Sequence, residues 1–330
     1  DTSALIEEPD EYTRSFGAGA GYTLGYGNIP THETSSGKTR IFHIVNPTGI
    51  EREENATLTV WDWPGTLELA EMTDIHGNIL PSERITDWKI FWQHRYFELL
   101  VHVKVPAYGY TTVILQEKDP TEVTDSIFNV FSNAEHLPTD DIVLQNKYIV
   151  ARFDSGTGAL SSLIDKETGT ERLRAGETGS LCTVKPTKNG MSSWIINRWL
   201  DIEPVKETVL MEPINGRLQS GLRLRQKSGE SYIDTRITLG SNDRFLKIKM
   251  EIDWKEDSAG QELQPLLIYR LPLDHTTDRI LCDVPGGALW RQAQETDVPC
   301  QRYAAAEFTD NRVLALASDC KHGFRLAKNN

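Results

Sequence analysis

Long apolar runs are missing from this sequence. No stretch approaches the roughly 20 consecutive apolar residues that a membrane span needs, and the first residues, DTSALIEEPDEYTR, are polar and acidic rather than leader-like. Basic charge is also in short supply. With 35 Lys and Arg against 48 Asp and Glu, the formal net charge is −13, which repels phosphate backbones and anionic lipid head groups. Neither a nucleic acid nor a membrane is therefore expected as a partner. Cysteine is sparse and dispersed: Cys182, Cys282, Cys300 and Cys320 form no CxxC pair, so neither a zinc knuckle nor a dithiol redox motif is indicated. Buried thiols are the expectation, with a disulfide among them left open.

The helical period is absent as well. No apolar stripe at i, i+3, i+4 and i+7 persists for three turns, although DSIFNVF at 125–131 fits either a short helix or a strand. What is present is alternation. Leu246, Ile248, Met250, Ile252 and Trp254 interleave with Lys247, Lys249, Glu251 and Asp253, the mark of a half-buried strand. Phe97, Leu99, Val101, Val103 and Val105 alternate with Glu98, Leu100, His102 and Lys104, and GYTTVIL at 109–115 repeats the pattern. Turn clusters separate such runs: DSGTG at 154–158, DKETG at 165–169, KNG at 188–190 and DSAG at 257–260. Many strands and few helices to cover a parallel sheet predict an all-β protein built as antiparallel sandwiches rather than an α/β barrel. The polar, proline-containing stretch 117–141 divides two strand-rich regions. The expected organisation is a Gly-rich connecting segment (1–38), a small β-sandwich domain (39–120), a linker (121–140) and a second β domain (141–330).

Motifs that would carry chemistry mostly fail on spacing. The Gly-rich FGAGAGYTLGYG at 16–27 invites a dinucleotide-binding reading, but GxGxxG would need glycine where Tyr22 or Leu24 stands. A flexible connecting loop is expected instead. The histidines are scattered; His94 and His102 are the closest pair, and alternation puts His102 on the polar face of its strand, so a surface or hydrogen-bonded role is expected for both. Asp140, Asp141, Glu256 and Asp257 sit in hydrophilic, turn-like contexts that read as solvated surface. No GxSxG elbow occurs. Trp61, Trp63, Trp194, Trp199 and Trp290 lie near turns or strand ends, where sugar stacking and core packing are both open to a large ring.

Ordered motifs near the C-terminal end narrow the reading. CDVPGGALWRQAQETDVPCQRYAAAEF at 282–308 and VLALASDCKHGFR at 313–325 resemble the C-terminal β domain of glycoside hydrolase family 38 α-mannosidases. QNKYIVARFDSGTGALSSLIDKETG at 145–169 resembles the opening of that domain, MSSWIINR at 191–198 and IDWKE at 252–256 follow in order, and FHIVNPTGIERE at 42–53 with VPAYGYTTV at 105–113 resembles the preceding β domain. Two positions depart from the family pattern, Tyr303 where Trp is usual and His322 where Tyr is usual.

The resemblance implies a zinc-dependent retaining enzyme that removes α-linked mannose through an Asp nucleophile. In the family an N-terminal barrel supplies the nucleophile and the zinc ligands, and a helical segment follows it. Nothing in this sequence resembles either, so the resemblance implies no catalytic residue and no cofactor in this chain, with zinc expected in the absent catalytic domain. It also implies that both ends are cut from a longer protein and that the last β domain is similar to the galactose mutarotase supersandwich, shortened at its C-terminal end. The partners implied are the chain's own N-terminal catalytic domain and an α-mannoside or glycan. Arg291 is the expected substrate-positioning residue, with Trp290, Arg302 and Tyr303 beside it; an Arg291 paired with a carboxylate between strands is the competing reading. An autonomous carbohydrate-binding module and an aldose-epimerase-like activity are the alternative functions, the latter requiring a His and a carboxylate across one sugar.

Overall fold

A computed structural model describes residues 37–91, 94–129, 137–187, 198–256, 265–274, 279–294, 296–319 and 323–326. The Gly-rich segment at 16–27, the KNG and DSAG turns, Trp194, Cys320 and His322 lie outside the described residues. The chain forms two compact units, one of Asp1–Ala134, Pro213–Leu222 and Ile237–Lys247, the other of Glu135–Glu212, Arg223–Arg236 and Ile248–Asn330.

In the first unit, Thr39–Val45, Tyr110–Glu117 and Ala70–Asp74 make a three-stranded antiparallel sheet with Tyr110–Glu117 in the middle. A second sheet is built around the long strand His94–Val105, which pairs antiparallel with Arg52–Trp61, Ser82–Arg84 and Lys89–Phe91. Phe97, Leu99, Val101, Val103 and Val105 all face inward and are buried, as alternation along the strand requires. They meet Met72, Val113 and Leu115 of the three-stranded sheet in one core, which is the sandwich arrangement. The segment 125–131, open between helix and strand in the sequence, contributes the short strand Phe128–Asn129, which runs parallel to Ser82–Arg84. The only helical turn among the described residues is the 3-10 turn Leu67–Leu69.

The second unit contains a four-stranded antiparallel sheet of Thr170–Glu171, Leu160–Asp165, Ile149–Phe153 and Ile142–Gln145, and a three-stranded one of Trp199–Pro204, Ser180–Pro186 and Leu266–Arg270. A further four-stranded sheet takes the order Gly287–Gln292, Arg279–Val284, Tyr303–Glu307 and Val313–Ala317, and Val298–Pro299 pairs with Gly323–Phe324. Residues of the sheet Glu207–Asn215, Gln219–Ser228, Ser231–Gly240 and Lys247–Asp253 are divided between the units. Its last strand shows the expected alternation only in part: Lys247, Lys249 and Glu251 are exposed and Ile248 and Met250 half-buried, but Ile252, expected on the inner face, is exposed.

Candidate functional site

The residues singled out by the sequence gather on the sheet formed by Gly287–Gln292, Arg279–Val284 and Tyr303–Glu307. Ile280 stands opposite Arg291 and Ala306, Leu281 opposite Trp290 and Ala305, and Cys282 opposite Leu289 and Ala304. Directly opposed residues share a face. One face therefore carries Ile280, Cys282, Leu289, Arg291, Ala304 and Ala306, and four of these six belong to a buried cluster with Val298 and Cys300. The other face carries Leu281, Asp283, Trp290, Ala305 and Tyr303.

Trp290 and Arg291 are neighbours in sequence and project to opposite faces. Arg291 is half-buried, its Nε is shielded from solvent, and its guanidinium makes no hydrogen bond or ion pair with a described residue. Trp290 is 45% exposed, and the Arg279 guanidinium lies 4.4 Å from the centroid of its ring. Arg302 is committed elsewhere: Nε donates to Asp283 Oδ2 at 2.7 Å and Nη2 to Oδ1 at 3.3 Å. That hydrogen bond and the guanidinium charge hold the Asp283 carboxyl below its ordinary range. Tyr303 is half-buried opposite Ala317. Trp290, Arg291 and Tyr303 thus share a sheet, Arg302 stands just before the strand of Tyr303, and the four do not form a single surface.

Beside Arg291, the thiols of Cys282 and Cys300 are buried and free, as is Cys182. Burial, and then the hydrogen bond with Cys282, push Cys300 up to about 12, against the nearby charge of Arg291. A thiol so raised is protonated at neutral pH and does not serve as a nucleophile.

Other motif residues prove to be architectural. Arg172 bridges Asp165 at 2.8 Å and Asp310 at 2.9 Å, with its guanidinium 4.8 Å from the centroid of the Phe308 ring. Arg325 pairs with Asp297 at 2.8 Å and stacks on Trp199, so Trp199 is a packing residue. Trp63 is likewise buried in the first unit's core, under Arg40. Glu256, read from sequence as solvated surface, instead accepts from Glu230 N at 2.8 Å and Ser231 Oγ at 3.0 Å. It caps a turn in which Gly229 has φ +57 and no room for a side chain against that carboxylate. Short-range pattern could not reveal this, because donor and acceptor lie 25 and 26 residues apart.

Both expected histidine roles are met. His102 Nδ1 lies 2.9 Å from Asn55 Oδ1 and Nε2 lies 3.2 Å from Glu53 Oε1. His94 Nδ1 lies 2.6 Å from Asp62 Oδ2, a pairing that the sequence did not suggest. No group of three or more His, Cys, Asp or Glu able to hold a metal ion occurs among the described residues.

Antiparallel strands dominating two sheet-built units define an all-β, sandwich-type protein. The chain belongs to glycoside hydrolase family 38: the family model described as the glycosyl hydrolases family 38 C-terminal domain matches residues 144–330, more than half of the sequence. No curated protein sequence matches the chain. A C-terminal domain of this family is part of a glycoside hydrolase and is associated with that enzyme's catalytic domain.

Proposed function

We propose that the chain is the non-catalytic β portion of a retaining, zinc-dependent α-mannosidase, supporting the catalytic domain and contributing to the rim of the mannoside pocket. The observation that carries this reading is the idle guanidinium of Arg291, half-buried with a shielded Nε and no partner among the described residues. A sheltered cation without a counter-group is costly, and its planar fork suits two acceptors at once. The neighbouring 2- and 3-hydroxyls of mannose offer such a pair. Arg291 would then bind and orient the sugar without moving a proton, since an arginine does not titrate near neutral pH. Trp290 projects to the opposite face of the sheet and would not share that sugar, and Arg302, braced by Asp283, would stiffen the strand start at Tyr303.

Zinc would supply substrate coordination and electrostatic stabilisation in the catalytic domain. The described residues hold no site for it, so no step is assigned through it here.

Hydrolysis of an aryl α-mannoside tests the reading. The intact enzyme should turn it over, a chelator should abolish that turnover, and this chain alone should be inactive. In the intact enzyme Arg291→Ala should lower kcat/KM by about 10- to 100-fold with an unchanged melting temperature. Chelator-sensitive turnover by the isolated chain would sink the proposal.

A further inference from the structure

The first unit carries an aromatic surface that the Arg291 reading leaves unused. Trp61 and Tyr96 stand directly opposite each other on paired strands, with ring centroids 4.6 Å apart and planes tilted 40°. Phe91, 58% exposed, adds a third ring with its centroid 6.4 Å from that of Trp61. These rings occupy the face of the sheet that points away from the core, since Val60 and Phe97, one position along each strand, are buried.

Polar groups flank the rings and are only partly used. His94, two residues before Tyr96 and on the same face, has Nδ1 2.6 Å from Asp62 Oδ2. The other oxygen of Asp62 accepts from Arg95 N at 2.9 Å. A carboxylate has no proton to give, so Nδ1 donates this bond, which leaves Nε2 as the ring's second polar atom. That Nε2, the Tyr96 hydroxyl, the Trp61 Nε1 and the Glu98 carboxylate make no hydrogen bond with described residues. Asp62 sits at φ +42, a backbone state a non-glycine residue adopts at a cost and that is enriched at ligand sites. Its two hydrogen bonds, with Asp62 N to Arg95 O at 2.7 Å, hold the dyad in place.

Flat half-exposed rings edged by unused donors and acceptors are what a neutral pyranoside requires: C–H faces lie on the rings while hydroxyls bond at the rim. We propose that Trp61, Tyr96 and Phe91, with His94 and Glu98, form a second sugar-contact surface for a mannose-containing oligosaccharide. The choice of mannose rests on the α-mannosidase reading; the surface itself does not.

Calorimetric and saturation-transfer NMR titration of the 330-residue chain with mannotriose tests it. Binding in the millimolar range is expected, weakened about tenfold by Trp61→Ala and measurably by Tyr96→Phe, which removes only the hydroxyl. No binding at tens of millimolar sugar overturns the proposal, as does binding that is lost in Arg291→Ala and kept in Trp61→Ala. Should Trp61→Ala unfold, Tyr96→Phe and His94→Gln decide alone: full affinity in both overturns it. Aryl α-mannoside hydrolysis by the intact enzyme is read separately, so the two proposals fail independently.

Discussion

The guanidinium carbon of Arg325 lies 3.5 Å from the centroid of the Trp199 ring, while its Nε donates to Asp297 Oδ1 at 2.8 Å. Arg325 closes the motif series at 313–325, Asp297 immediately precedes VPCQRY at 298–303, and Trp199 starts a strand of another sheet. The side chains of Arg325 and Asp297 are 8% and 16% exposed. Burial pushes the Asp297 carboxyl up, and the Arg325 charge and hydrogen bond draw it back. Residues that carry the family resemblance thus act by holding strands together.

Arg325→Ala should therefore destabilise the chain by about 3–5 kcal/mol, because it leaves Asp297 sheltered without its cation. The double variant Arg325→Met/Asp297→Leu should recover most of that loss. Urea midpoints of the three proteins check this; an additive double variant would show that the two side chains do not act as a pair.

Glu83 is fully buried, accepts from Leu218 N at 2.9 Å, and has its carboxyl pushed up by burial against the pull of backbone donors and Arg217. A carboxyl raised in the folded state favours folding least when ionised. Its contribution is neutral below the unfolded value of about 4.3 and turns unfavourable as pH rises through the folded value. Asp154, held low by hydrogen bonds from Thr157 despite burial, has the opposite sign and loses stabilisation as pH falls. The difference in unfolding free energy between the native chain and Glu83→Gln should accordingly shift in favour of Glu83→Gln from pH 4 to pH 7. A pH-independent difference would remove the assignment.

Asn46, 2% exposed, ties two loops of the first unit. Its Nδ2 donates to Ile50 O at 2.8 Å and Pro106 O at 3.0 Å, and its Oδ1 accepts from Thr48 N at 3.0 Å. The same loops hold Tyr108 at φ +49 through Tyr108 N to Thr48 O at 2.9 Å. Asn46→Ala strands these buried backbone groups and should cost about 2–3 kcal/mol. A melting temperature within a degree of the native one would contradict this.

Gly158 and Gly169 end the two turn motifs read from the sequence, at φ +68 and φ +71. A side chain at Gly158 would come within 2.6 Å of Leu224 Cδ2, whereas at Gly169 nothing lies within 4 Å. Gly169→Ala should cost only the left-handed backbone penalty, about 1–2 kcal/mol, and Gly158→Ala more, since Leu224 must move. Equal losses in denaturant titrations would show that Leu224 yields freely.

Local pattern made much of the fold legible. The alternations at 97–105 and 246–254 returned as the strands His94–Val105 and Lys247–Asp253, and the 154–158 and 165–169 turns fell where glycine at positive φ demanded them. The candidate site was legible only as a list: Arg291, Trp290 and Tyr303 lie on one sheet with Arg302 just before its strand, yet Arg302 is taken by Asp283 and Arg291 has no partner among the described residues. The Asp62–His94 dyad and the turn-capping role of Glu256 were not visible at all.

By itself the sequence determined where most strands run and the inward face of His94–Val105, because a strand's period of two is set within a few residues, while Leu100 and Ile252 departed from the alternation, the one buried and the other exposed. It determined the family too, through motifs read in order. Tertiary structure alone decided which charges meet, since Arg172 reaches Asp310 and Arg217 reaches Asp125 across 138 and 92 residues of chain. Such pairings depend on strand order and register, and those are fixed only when whole faces are buried together.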